Sequence, residues 1–184
     1  MTLHAPAEAI AAHSLEVTIS GPAGKGYWLG FAPAGGVNSA QAANPYSAAV
    51  LKGGEQVVKL TVPTIPGDYE LRYREARGTH TIVLRQDFRF TMPQLTIEAP
   101  AIADAGSTID VRVAGDIGEA MKLLVVPAGS PDSTSGPERG LRQGSDGGGT
   151  IRLQNTEPGE YEIRCVSYTA AGRQVYAQRD LTIR

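Results

Sequence analysis

The chain of 184 residues holds a single cysteine, Cys165, so no disulfide can form within it. A lone thiol fits a reducing compartment, yet many exported bacterial proteins also lack disulfides, so it leaves the compartment open. No apolar run approaches the roughly 18 residues that a membrane-spanning helix requires, which excludes membrane insertion by helices. The first residues, Met1-Thr2-Leu3-His4-Ala5-Pro6, carry neither the basic region nor the apolar stretch of a signal peptide. The first strand is expected almost at Met1. That start points to a piece of a longer exported chain, periplasmic or cell-surface, with the cytoplasm as the alternative. Charge of one sign is lacking too: 17 Lys and Arg face 19 Asp and Glu, for a net charge of −2. Without a basic footprint, nucleic acid is excluded as a partner. Aromatics make up only 6% of the residues. No helical periodicity persists beyond one turn.

Turn formers are plentiful: 22 Gly and 12 Pro punctuate short segments of alternating polarity, the pattern of an all-β protein. The chain also contains itself twice. Pro66-Gly67-Asp68-Tyr69-Glu70-Leu71-Arg72-Tyr73 returns as Pro158-Gly159-Glu160-Tyr161-Glu162-Ile163-Arg164-Cys165. Residues 3–36 align without a gap on 97–130, and about a third of the pairs are identical, including Ala5-Pro6-Ala7 with Ala99-Pro100-Ala101 and Pro33-Ala34-Gly35 with Pro127-Ala128-Gly129. A tandem duplication accounts for this, with domains at 1–93 and 94–184, each large enough to bury a core of its own.

Within each copy, about seven short strands separated by turns predict a β-sandwich, and the fold class is two tandem immunoglobulin-like β-sandwich domains. In that architecture a Tyr stands at the corner that opens strand F, two residues before a core position. Tyr69 with Leu71, and Tyr161 with Ile163, have this form, and their charged neighbours fall on the opposite face of the strand. Trp28 falls on the expected strand C, where such folds place a core Trp. Lys122 replaces it in the second copy, so Met121 or Leu123 is expected to fill that core.

The run of Ala-Pro, alternating strand, Gly21-Pro22-Ala23-Gly24-Lys25-Gly26-Tyr27-Trp28, Pro-Ala-Gly and Pro-Gly-Asp-Tyr-Glu-Leu-Arg-Tyr resembles an Ig-like module repeated in exported bacterial proteins. Those proteins often also carry a von Willebrand factor A domain. Both copies resemble it over nearly their whole length, the Pro-Gly-Asp/Glu-Tyr-Glu-Leu/Ile-Arg segment most specifically. Copy two departs at Lys122, at Cys165 and in its loop. The resemblance implies an extracytoplasmic interaction or spacer role and no catalytic site. The Asp-x-Ser-x-Ser metal motif of the von Willebrand domain is absent.

Chemistry is sparse. Cys165 occupies the inward place of Tyr73 and reads as a small buried hydrophobe; a nucleophile would need a His base, and His4, His13 and His80 all lie in the first copy. Gly144-Ser145-Asp146-Gly147-Gly148-Gly149 lacks the Lys and the helix of a phosphate loop and reads as flexible backbone. Asp104, Asp110, Asp116, Asp132 and Asp146 show no calcium-loop spacing. No cofactor and no metal are expected.

What remains is surface recognition by the two long loops, 36–54 and 130–149, where the copies disagree. Asn44, Tyr46 and Leu51 on the first, with Arg139, Leu141 and Arg142 on the second, are the candidate binding residues, Tyr and Arg being types enriched at hot spots. A protein partner is the first expectation. The alternative is a small ligand, either a glycan stacked on an exposed Tyr27 or Tyr168, or calcium. An enzyme using Cys165 is the third reading.

Overall fold

The computed structural model describes residues 2–21, 27–36, 47–49 (backbone alone), 54–75, 81–141, 147–154, 156–169 and 172–184. The chain divides into two compact units, Met1–Thr91 and Met92–Arg184, a boundary two residues earlier than the expected 93/94. In the first unit the strands are β1 (Thr2–His4), β2 (Glu8–Ile10), β3 (Ser14–Gly21), β4 (Tyr27–Pro33), β5 (Ser47–Ala49), β6 (Gly54–Thr61), β7 (Gly67–Glu75) and β8 (Ile82–Thr91). The second contains β9 (Leu95–Glu98), β10 (Ile102–Ala103), β11 (Thr108–Gly115), β12 (Lys122–Pro127), β13 (Glu138–Gly140), β14 (Gly147–Arg152), β15 (Gly159–Thr169) and β16 (Gly172–Ile183).

Each unit pairs a three-stranded sheet with a five-stranded one, and the two topologies are the same. In the first unit the orders are β1-β3-β6 and β2-β8-β7-β4-β5; in the second they are β9-β11-β14 and β10-β16-β15-β12-β13. The opening strand is split between the sheets. β1 runs antiparallel to β3 and β2 parallel to β8, with Ala5-Pro6-Ala7 at the switch. Proline has no N–H to give a ladder, so it breaks the strand there. The Gln86 side-chain amide donates to the freed carbonyls of Ala5 and Pro6 at 3.2 and 3.1 Å. These are two immunoglobulin-like β-sandwiches.

The Tyr corners lie at equivalent places. Tyr69 OH donates to the Ile65 carbonyl at 3.0 Å, and Tyr161 OH to that of Glu157 at 2.9 Å. Gly67 and Gly159 precede them at φ +148° and +158°, backbone that disfavours any side chain. Leu71, Ile163 and Cys165 are fully buried.

Two expectations need correction. Trp28 is half-buried rather than core, because strand parity decides: Leu29 pairs with Tyr73 and Phe31 with Leu71, so those two point inward and Trp28 points outward beside Arg74. Lys122, at the same place in β12, also lies on the outer face. Its replacement of Trp leaves no hole, and Leu123, Val125 and Met121 fill the second core. The charged face of the signature strand is largely buried as well. Glu70 and Arg72 are 8% and 7% exposed, and Arg164 is 5% exposed. Finally, much of 130–149 is not free loop. Residues 138–140 form β13, and Gly147-Gly148-Gly149 open β14 against Val113, Arg112 and Val111. Glycine suits that strand because a Cβ on Gly147 would run into Ile117 Cδ1.

Candidate functional site

The buried charges of the signature strands form one constellation, built twice. In the first unit Pro33-Ala34-Gly35-Gly36 turns the chain, with the Gly36 N–H bonded to the Pro33 carbonyl at 3.1 Å and Gly35 at φ +69°. This conformation lets the Gly35 N–H reach the Glu70 carboxylate. Arg72 Nε donates to Glu70 Oε2 at 2.8 Å, and its Nη2 donates to the Gly36 carbonyl at 2.8 Å. In the second unit Gly129 stands at φ +70°, its N–H donates to Glu162 Oε1 at 3.0 Å, and Arg164 donates to Glu162 Oε2 at 2.7 Å and to the Ser130 carbonyl at 2.8 Å. The Arg72 hydrogen bond holds the Glu70 carboxyl below its ordinary value, and the Gly129 N–H and Arg164 do the same for Glu162. The repeated Pro-Ala-Gly and Glu-x-Arg segments are thus two halves of one clamp on the segment that leaves strand C.

Beyond the clamp the second unit carries a strap. Leu124, Val126 and Val166 lie on the outer face of the five-stranded sheet yet are at most 2% exposed, with Val175 packed against them. Residues 130–136 cross this face. Arg173 Nη1 donates to the carbonyls of Asp132 and Thr134 at 3.0 and 2.8 Å, and Arg164 reaches Asp132 Oδ1 at 3.4 Å. Gly136 lies so close to the Val125 carbonyl oxygen that a Cβ would collide with it. At the matching places the first unit has Gly30, Ala32 and Arg74.

Next to the strap, Tyr168 is 46% exposed between two cations, with Lys122 Nζ and the Arg173 guanidinium each 4.9 Å from its ring. Its hydroxyl donates to Glu138 at 2.7 Å, and Lys122 pairs with the same carboxylate at 2.7 Å. The hydrogen bond from Lys122, and then that from Tyr168, hold the Glu138 carboxyl below its ordinary range. Around the corner a groove of about 640 Å³ is lined by Thr108, Pro137, Glu138, Arg139, Thr150, Arg152 and Gln154.

Of the candidate binding residues, Arg139 is exposed in this groove. Leu141 is not a surface residue: it is 9% exposed, and its N–H bonds the Met121 carbonyl at 2.9 Å, so it closes the core beneath β13. Asn44, Tyr46, Leu51 and Arg142 lie outside the described residues. Tyr27 is half-buried rather than exposed, with one face of its ring stacked on Tyr73 at 5.4 Å. The Cys165 thiol is buried, and burial pushes it up to about 12, so it does not form the thiolate a nucleophile requires at neutral pH. Among the described residues no group of three or more His, Cys, Asp or Glu converges as a metal set. Sequence reasoning passed over Arg152 and Arg173, which belong to no motif, and gave Glu-x-Arg no role although its recurrence was the available signal.

No family model matches the chain, and no curated protein matches it. Among solved structures, it is similar to the FN1–FN3 domains of chicken CNTN1 at 12% identity and TM-score 0.34, covering 98% of this chain and 66% of that one. It is also similar to a chimeric titin Z1Z2 carrying a decorin peptide, at 14% identity and TM-score 0.29 over 100% and 96% of the two chains. A titin Ig tandem gives 12% identity and TM-score 0.29 over 100% and 99%.

Proposed function

We propose that the chain is a non-enzymatic interaction module of an exported bacterial protein, and that it recognises a protein partner through the segment that follows strand C. One observation carries this reading. The copies share the corner and the clamp, and beyond its clamp the second unit presents a strap, the Tyr168 cluster and a groove with an arginine on its rim. Exposed Tyr and Arg beside well-anchored backbone are the materials of recognition hot spots. The absence of an activated nucleophile at Cys165 agrees with a binding role.

The test is capture of envelope proteins on the immobilised chain, compared with chains in which 36–54 or 130–149 is exchanged for a short turn. Retention of a discrete protein that is lost with the 130–149 exchange supports the reading. Equal retention by both exchanged chains, or none by the parent, overturns it.

A further inference from the structure

We infer that the groove of the second unit binds an extended acidic peptide segment, with Arg139 and Arg152 pairing its carboxylates; this rests on the interaction role above and names the chemistry of its partner. The groove lies where both sheets of the sandwich end. β13 is the outermost strand of one sheet and β14 of the other. Leu153 bonds back to the neighbouring strand through its N–H to Ser107 and its carbonyl to Gly106. By the alternation of an antiparallel ladder, the main-chain groups of Thr150 and Arg152 face the open side. Neither strand carries the proline or lysine with which sheet edges are commonly guarded, so main-chain pairing is available to an added strand.

The groove's charge selects the occupant. Arg139 and Arg152 are exposed and have no ion-pair partner among the described residues. Glu138, the carboxylate of the lining, is already engaged by Lys122 and Tyr168, and nearby Asp110 accepts from the Thr150 hydroxyl at 3.1 Å. Two guanidiniums are therefore left to a ligand, and bidentate pairing with carboxylates is what they favour. Arg139 also has a built seat: its stem lies over Gly149, where a Cβ would approach Cγ at 3.2 Å and Nε at 3.1 Å. Among the described residues the lining contains no aromatic ring on which a sugar could stack.

The first unit shows that this charge is particular to the second. By register, Ala48 stands where Arg139 stands and Thr61 where Arg152 stands, while Glu16 faces Lys59 in place of Asp110 and Thr150. At this edge the second unit gains Arg139 and Arg152 and lacks the first unit's Lys59.

The experiment is a fluorescence-anisotropy titration of the intact chain against a labelled peptide of about eight residues alternating Glu and Val, long enough to pair along β14. The same peptide with Gln for Glu and a heparin fragment serve as comparators. Saturable binding of the Glu peptide is expected, weakening as salt rises. The Gln peptide, and the Glu peptide against the double variant R139Q/R152Q, should bind at least about tenfold more weakly, the effect of losing close charge pairs. K59Q in the first unit should leave binding unchanged, and both variants should keep the parent's unfolding midpoint. No saturable binding, equal binding of the Gln peptide, or indifference to R139Q/R152Q would overturn the inference. So would tighter, Arg139/Arg152-dependent binding of heparin, which assigns the groove to a sulfated glycan. If the peptide fails while envelope capture still depends on 130–149, this inference falls and the interaction role stands.

Discussion

The two units share a scaffold and differ in what fills it. The first core is aromatic: Phe31 meets Phe88 and Phe90 edge-on at 5.0 and 4.8 Å, Tyr69 meets Phe90 at 5.2 Å, and Tyr73 stacks on Tyr27. At the same register the second unit has Val125, Leu181, Ile183 and Cys165. It compensates on the opposite face, where Leu124, Val126 and Val166 make a second apolar cluster under the strap. The corner and the clamp are the same in both. The comparison teaches that the repeated motif is framework, and that the differences lie in the core filling, on the outer face and at the open edge.

Five predictions sharpen that comparison, from the largest effect down. Giving the first unit the second unit's residue, Tyr73→Cys, should cost about 4 kcal/mol, since a fully buried ring leaves a cavity. Urea unfolding followed by Trp28 emission reports on that unit. Arg164→Met should cost about 3 kcal/mol, because it strands the largely buried Glu162 carboxylate without its cation. The loss should appear in circular dichroism and as faster proteolysis within 130–136.

Acid acts on both clamps at once. Glu70 and Glu162 have folded-state values held below the ordinary 4.5. Their contribution is therefore complete above 4.5 and disappears as pH falls below it through their folded values. Denaturation midpoints should drop across that window, and Glu70→Gln with Glu162→Gln should flatten the drop. Tyr69→Phe and Tyr161→Phe should each cost about 1 kcal/mol, the worth of one corner hydrogen bond, with equal losses in the two units. Trp28→Lys, which copies the second unit's Lys122, should change stability by about 1 kcal/mol or less, as partly exposed positions usually do.

The fold was legible because period-two alternation, Gly-Pro turns and an internal copy all point to one architecture. The corner tyrosines could be named from Gly67-Asp68-Tyr69 and Gly159-Glu160-Tyr161 alone. Trp28 was misplaced because family habit was allowed to outrank parity, and Leu29-Gly30-Phe31 already marked the inward face. The clamp was missed for a physical reason. Alternation assigns Glu70 and Arg72 to the side away from the core, but it does not show that a turn some 36 residues earlier folds back to bury that side. The strap was missed in the same way: Ser130 to Gly136 has the composition of solvated loop, and only the backbone contacts from Arg164 and Arg173 reveal its course. At the site, Arg139 was identified by residue type. Arg152 was not, since its role comes from two sheet edges ending at one groove.

The account rests most heavily on the claim that Glu-x-Arg is an anchor rather than a solvated pair. A double-mutant cycle with Glu162→Gln, Arg164→Met and the double variant measures this directly by urea unfolding. A coupling of about 1.5 kcal/mol or more is expected for a buried hydrogen-bonded ion pair that also holds the chain at Gly129 and Ser130. Additivity within about 0.5 kcal/mol, the behaviour of independent surface charges, would contradict it.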